Sequence, residues 1–184
     1  MVYISGGNEL IDAEQLFKRL NIQEGMIIGD LGCGATGRFC VPAARLVGKK
    51  GVVYVVDILR SALQEVSKKA RLEGVDNIKP VWANLEIVGA TNIPAGRLDM
   101  AFLKNILFQS KEHKNILLEA KRLLKSGGKL LVVDWKQTAA PFGPPPIDRV
   151  KAENIKKIAG EISFELDSEF AAGKYHYGLI FIKS

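Results

Sequence analysis

Cysteine and histidine are scarce in this chain of 184 residues, with two of each. Cys33 and Cys40 are too few and too close together for a disulfide framework, and their spacing is not that of a metal site. His113 and His176 form no HExxH pair and no acidic run has EF-hand spacing, so no metal is expected. A cysteine nucleophile would need a partner histidine, and the sequence identifies none. There is no apolar stretch of about 18 residues, the length a membrane helix needs, and no basic segment followed by an apolar core opens the chain. No membrane span is therefore expected, and a reducing, cytoplasmic setting is. Repeats, linkers and low-complexity tracts are also absent, so residues 1–184 read as one domain.

Acidic residues are outnumbered: 26 lysines and arginines face 20 acids, a formal charge of +6. That surplus permits an anionic partner. The basic pairs Lys49-Lys50, Lys68-Lys69, Lys121-Arg122 and Lys156-Lys157 are scattered over helix faces. Only a contiguous patch beside a ligand cleft would turn the total into evidence for RNA. Hydrophobic content of 47% is that of a globular chain long enough for a sheet covered on both faces.

What the chain does have is strand, glycine turn and helix in repeated order. Residues 9–20 read as an amphipathic helix capped by Asn8. Residues 26–31 form a near-continuous apolar run, the mark of a strand buried on both faces. They lead into Gly32-Cys33-Gly34-Ala35-Thr36-Gly37 and a helix over 37–47. A second strand ends in Asp57, and a helix follows over 60–72. Strands over 77–82 and 98–103, a helix over 113–124, a strand over 129–133, a helix over 147–159 and strands over 163–166 and 177–182 complete the order. Repeated right-handed crossovers require a mostly parallel sheet, and about ten helix-free residues before the last strand favour an antiparallel closing pair.

Gly32 and Gly34 remove Cβ atoms where the chain bends and a ligand can approach the backbone. The helix beyond presents free N–H groups. Asp57, at the tip of the second strand, can accept hydrogen bonds from both hydroxyls of a ribose, and Ile58 offers an apolar face to adenine. A dinucleotide and S-adenosylmethionine both fit that frame. Asp30, just before the turn, would oppose a pyrophosphate but can receive an ammonium, directly or through water. S-adenosylmethionine carries an ammonium, a ribose and an adenine without phosphate. A dinucleotide enzyme would also need a second region for nicotinamide, for which this chain is short.

On Asp30-Leu31-Gly32-Cys33-Gly34, Tyr54-Val55-Val56-Asp57, Ala83-Asn84-Leu85-Glu86, Leu98-Asp99-Met100-Ala101-Phe102 and the segment from Leu124 through Gly127-Gly128 to Asp134, the chain resembles the class I S-adenosylmethionine-dependent methyltransferases over nearly its whole length. Within them it looks like compact bacterial and archaeal members similar to the quinone-biosynthesis C-methyltransferases. The resemblance implies a Rossmann-like α/β fold with helices on both faces of seven strands, ordered 3-2-1-4-5-7-6, strand 7 antiparallel. It also implies that Asp30, Gly32, Cys33 and Gly34 surround the methionine moiety, that Asp57 holds ribose and Ile58 packs on adenine. Asn84 stands where relatives commonly have an acid, its amide oxygen available to the adenine amino group, and Leu85 adds an apolar surface. Asn105 and Ile106 follow the fourth strand near the expected transfer site. Two departures stand out: Ala35-Thr36 lengthens the turn before Gly37, and Ser126 replaces a common proline before Gly127.

In a parallel sheet the ligand sits beyond the carboxyl ends of the strands. With strand 7 antiparallel, this makes neighbours of Trp135, Phe142, Tyr175 and His176, which with Asn105, also expected at the cofactor, are the expected acceptor-binding residues. Phe142-Gly143-Pro144-Pro145-Pro146 forms a stiff wall or partial lid. A general base is needed only where the acceptor loses a proton, and Asp134 and His176 are the candidates. The implied function is methyl transfer from S-adenosylmethionine to a small-molecule acceptor. A protein or RNA acceptor is the alternative, and a non-catalytic S-adenosylmethionine-binding domain is the alternative of another class. A homodimer would complete a shallow acceptor pocket.

Overall fold

The computed structural model describes residues 11–184. The first helix, α1, runs Ala13–Leu20, and its cap is Asp12, whose side chain accepts from the Gln15 N–H at 3.1 Å. The expected cap Asn8, with Glu9 and Leu10, lies outside the described residues. Leu16, Phe17 and Leu20 supply its buried face, and Asn21 closes it in the left-handed conformation.

The alternation then proceeds as β1 Ile27–Leu31, α2 Cys40–Val47, β2 Val52–Asp57, α3 Arg60–Leu72, β3 Ile78–Trp82, β4 Leu98–Lys104, α4 His113–Leu123, β5 Leu124–Trp135, α5 Ala152–Glu161, β6 Phe164–Ala171 and β7 His176–Lys183. The sheet order is β3-β2-β1-β4-β5-β7-β6, with β7 antiparallel to both neighbours. Two cores result. Phe17, Phe39, Val47, Leu63 and Val66 from α1 to α3 pack on one face over Ile28, Val55 and Phe102. Leu117, Leu123, Ile155 and Ala159 from α4 and α5 cover Leu103, Val132 and Leu179 on the other. Burial of this kind contributes about 25 cal/mol per Å² of apolar surface removed from water.

Several boundaries differ from the sequence expectation, among them the start of β5, at Leu124 and not at 129. Helix α2 begins at Cys40 because Gly37, at φ 63°, is left-handed and cannot start an α-helix. The expected helix over 147–159 resolves into a 3-10 turn, Pro146–Asp148, and α5. The closing strands are longer than expected and joined by residues 172–175 alone. Strand β6, FELDSEFA, lies at the sheet edge with mostly exposed side chains, so its sequence lacks the apolar run by which the inner strands were recognised.

Candidate functional site

The carboxyl ends of the parallel strands meet at one sheet edge, where a cavity of about 720 Å³ opens. Its floor is the glycine loop. The N–H groups of Gly32 and Cys33 both donate to the Val56 carbonyl, at 2.8 and 3.1 Å, pinning the loop to β2. Gly32 and Gly34 are left-handed, at φ 76° and 63°. A Cβ on Gly32 would stand 2.5 Å from Ile106 Cγ2, so a side chain there would displace the turn after β4. A Cβ on Gly34 would meet nothing within 4 Å: the loop leaves that space open on the cleft. Gly37 is not on the cleft wall and faces Lys69 and Val41.

Asp57 is held rigidly. Its Oδ2 accepts from the Gly34 N–H and its Oδ1 from the Leu59 N–H, each at 2.9 Å. The Cys33 thiol, a weak donor, also reaches Oδ2 at 4.0 Å, so Oδ1 keeps a free lone pair for a hydroxyl and Oδ2 can take a second one only in place of the thiol. Beside it, Ile58 is exposed on the wall and Leu85 is buried beneath it. Asn84 Oδ1 accepts from the Glu86 N–H at 2.9 Å and keeps a second lone pair, while its amide NH₂ is a donor suited to an adenine ring nitrogen.

Asp30 does not line the cleft. It is 1% exposed and ion-paired with Lys104, itself 1% exposed, with the Lys104 ammonium 4.8 Å from the Phe39 ring centroid. Lys104 closes the apolar strand β4 and lines the cleft; the sequence reading missed it, although a lysine ending such a run was the available signal. Cys33 is buried off the wall, and burial together with the Asp30 and Asp57 carboxylates pushes its thiol far up. Burial likewise pushes Cys40 up to about 12.

Asn105, left-handed at φ 54°, turns β4 into the 3-10 segment Leu107–Gln109; asparagine tolerates this conformation better than most residues. Asp134 fixes that turn from behind. Fully buried and off the cleft wall, it accepts from the Leu107 N–H at 3.1 Å and the Trp135 N–H at 2.8 Å. Burial pushes its pKa up to about 7 against the pull of these donors. His113 braces the same turn through Nε2, 2.9 Å from the Leu107 carbonyl.

The expected acceptor-end neighbours do meet. Trp135 and His176 lie 4.2 Å apart by ring centroids, and Phe142 and Tyr175 5.6 Å apart, edge to face. Of this group Trp135, with Gly143 and Pro144, reaches the cleft, while Phe142, Tyr175 and His176 stand behind. His176 is fully buried, and burial plus the charges of Lys136 and Arg149 hold its pKa down at about 4. Neither ring nitrogen has a hydrogen-bond partner among the described residues. The proline loop is tied by a residue the sequence reading passed over. Arg149, 6% exposed, donates to the carbonyls of Pro144, Lys136 and Thr138 at 2.8, 2.9 and 2.6 Å and packs over Trp135. An arginine closing a proline-rich stretch was its only sequence signal.

Among the described residues no cluster of His, Cys, Asp or Glu could hold a metal ion, and no helix is long and apolar enough to cross a membrane. The open space over Gly34, the Asp57 carboxylate on the cleft wall and the apolar Ile58 wall fit an adenosyl group.

Comparison with known proteins agrees. A family model described as a methyltransferase domain matches residues 22–177. A ubiquinone/menaquinone biosynthesis C-methyltransferase of Marinomonas sp. is 32% identical over 90% of this chain, and that of Blochmanniella floridana 31% over 72%. The chain spans 64% and 51% of the length of these two relatives. A crystal structure of a SAM-dependent methyltransferase from Aquifex aeolicus aligns with a TM-score of 0.88 at 25% identity, covering 98% of this chain and 94% of that one. The chain belongs to the methyltransferase-domain family, within the class I S-adenosylmethionine-dependent methyltransferases.

Proposed function

We propose that this chain transfers a methyl group from S-adenosylmethionine to a small, largely apolar acceptor. One observation carries the reading: the polar pocket around Asp57 and the apolar walls of Ile106, Phe108, Ile116, Trp135 and Pro144 belong to one continuous cavity. Such a chamber holds an adenosyl group and an acceptor together, and alignment in a water-poor pocket is the main demand of the reaction. The cofactor, when bound, supplies a methyl group made electrophilic by the sulfonium. The names of the curated relatives, C-methyltransferases, favour a carbon as the methylated atom.

Asp57 takes the ribose hydroxyls, Ile58 and Leu85 flank the adenine, and the glycine loop carries the methionine end. Asp134 acts by holding the 105–108 turn, and His176 by supporting Trp135. A carboxylate on the cleft wall itself is Glu86, whose Oε1 accepts from the Ser110 hydroxyl at 2.5 Å. It is the group we assign to accept a proton from a phenol or an activated carbon.

Calorimetric titration with S-adenosylmethionine, S-adenosylhomocysteine and NAD tests this, followed by labelled-methyl transfer to a panel of phenols and quinols. Selective binding of the sulfur ligands, weakened about 30-fold or more in Asp57→Ala by loss of charge-assisted hydrogen bonds, is the expected result. Binding of NAD alone would sink the proposal.

A nucleic-acid acceptor is the second reading, and one observation favours it. Arg60, Lys68, Arg71 and the exposed Trp82 line a groove on the side of α3 that adjoins Ile58 and Leu59. Arg60 lies over the Trp82 ring, 3.9 Å from its centroid, and cations stacked on and beside an exposed indole suit a single strand. Including single-stranded RNA in the transfer assay separates the two readings.

A further inference from the structure

The outer edge of the sheet carries a second concavity, a groove of about 400 Å³ between α3 and the edge strand β3. Its charge is one-sided. Arg60, Lys68 and Arg71 line it and no acid does, and none of the three makes an ion pair among the described residues. Glu73, the acid that follows them on the chain, is committed to Arg45 and Lys69. Residues 60, 64, 68 and 71 recur at helical spacing, so the cations form a stripe along one face of α3 over about 16 Å. The stripe starts at the cleft: Arg60 follows Ile58 and Leu59 of the cavity wall, and Trp82 stands two residues before Asn84. Trp82 is 56% exposed yet fixed, its indole N–H donating to the Ile58 carbonyl at 2.9 Å with the Arg60 guanidinium over the ring. An indole held open to water forgoes the burial that Trp135 has. Pro80 removes an N–H from this edge strand, which discourages addition of a partner strand.

We propose that this groove is a docking surface for single-stranded nucleic acid, with a base extending the Arg60–Trp82 stack and backbone phosphates following Lys68 and Arg71. The inference goes beyond both acceptor readings. It concerns a strand held outside the cavity and does not require that strand to be methylated. Two features select this partner. Unpaired cations with no acid between them attract a polyanion, and release of its counterions drives binding. The fixed, exposed ring adds a contact that carboxylates do not make, since every base has a face to stack. A duplex keeps its bases stacked on one another and offers its phosphates alone. The scattered basic pairs of the sequence did not reveal this patch: Lys68 comes from one of them, Arg60 and Arg71 from none.

The test is fluorescence anisotropy with a labelled single-stranded RNA oligonucleotide of mixed sequence, without cofactor, compared with the duplex of that sequence and with poly-glutamate. The native protein is expected to bind the single strand most tightly, and tryptophan fluorescence should be quenched as a base stacks. Trp82→Ala should abolish the quenching and weaken single-strand binding about fivefold to a hundredfold, the range of one lost stacking contact. Its binding of duplex and poly-glutamate should stay within about twofold of native. Lys68→Ala with Arg71→Ala should lower the slope of log affinity against log salt by about 1.4, at roughly 0.7 per phosphate contact on a single strand. The S-adenosylhomocysteine Kd of that double variant should stay within about twofold, because neither residue lines the cavity. Cooperative urea unfolding checks that each variant is folded. Equal binding of the three polyanions, or single-strand binding unchanged in both folded variants, reduces the groove to general attraction by the net charge and overturns the proposal. Tighter binding of poly-glutamate overturns it in favour of an acidic protein, and no binding of the single strand by the folded native protein overturns it outright. None of these outcomes touches the reading of the cavity around Asp57.

Discussion

Asp134 and His176 occupy consecutive cross-strand positions at the end of the sheet: Trp135 pairs with His176, and Asp134 with Tyr177. Both are fully buried, and their titrations bear on stability in opposite directions. Asp134, raised to about 7 by burial, keeps a proton in the folded chain that the unfolded chain releases near the ordinary value of 3.8. Between those values the folded state binds more protons, so stability falls as pH rises. His176, lowered to about 4, stays neutral in the folded chain while the unfolded chain takes up a proton below 6.5. Its contribution therefore rises with pH across the same window. From about pH 5 to 6.5, the Asp134 contribution falls and the His176 contribution rises, each by on the order of 2 kcal/mol, by linkage from these shifts. The two nearly cancel, and these groups should leave the native protein with a flat profile. Glu119, held down at about 2 by Arg122, Thr91 and the Gly89 N–H against burial, titrates below this window.

Single substitutions should expose each slope. Asp134→Asn removes the titration, keeps one acceptor for the backbone donors, and should leave stability rising with pH. His176→Phe removes the ring nitrogens, keeps an aromatic ring against Trp135, and should leave stability falling with pH. Urea unfolding at several pH values, read as the midpoint with a constant slope, measures both. Flat profiles in both variants would refute the assignment of buried, oppositely shifted groups, whatever each substitution does to stability at one pH.

Other substitutions address the cleft and its supports. Glu86→Gln should lower kcat while leaving the S-adenosylhomocysteine Kd within about twofold, because a general base contributes to the transition state and not to cofactor binding; equal loss in both would make Glu86 a binding group. Gly32→Ala drives a Cβ into Ile106 at a left-handed φ, and calorimetry should show weakened cofactor binding together with a stability loss of about 1–3 kcal/mol. Arg149→Met strips three carbonyls of their donor and should lower Tm by roughly 10 °C, from about 3 kcal/mol of lost bonds, with faster proteolysis inside residues 136–148. An unchanged cleavage rate there would show that the prolines alone hold the loop.

The order of the sheet was legible because its signals are local. Ile27 to Leu31 and Val52 to Val56 are unbroken apolar runs, each closed by glycine or aspartate, and a central parallel strand needs nothing else to announce itself. Asp57 was legible for the same reason, since its position at a strand tip fixes its surroundings. What escaped depends on distance along the chain or on which face a side chain takes. Asp30 and Lys104 lie 74 residues apart in sequence, and only the register of β1 against β4 brings them together. Arg149 finds its three carbonyls across a loop with no periodic pattern.

Asp134 and Trp135 show why polar residues near a strand end mislead. Neighbours in a strand point to opposite faces. Here that step sends Trp135 to His176 and the cleft and Asp134 to Tyr177 beneath α5. Sequence places both at the carboxyl edge of β5, and chemistry makes the carboxylate the more attractive catalyst. The face decides otherwise: the buried acid fixes the turn carrying Asn105 and Ile106, and the indole forms the wall that an acceptor would meet. A carboxylate bonded to backbone donors behind the wall is a firm anchor, and one that does not reach the cavity meets no acceptor there. Asp134 and His176, the candidate bases of the sequence, thus lie off the cavity wall and brace it, while Glu86, unremarkable in sequence, lines it.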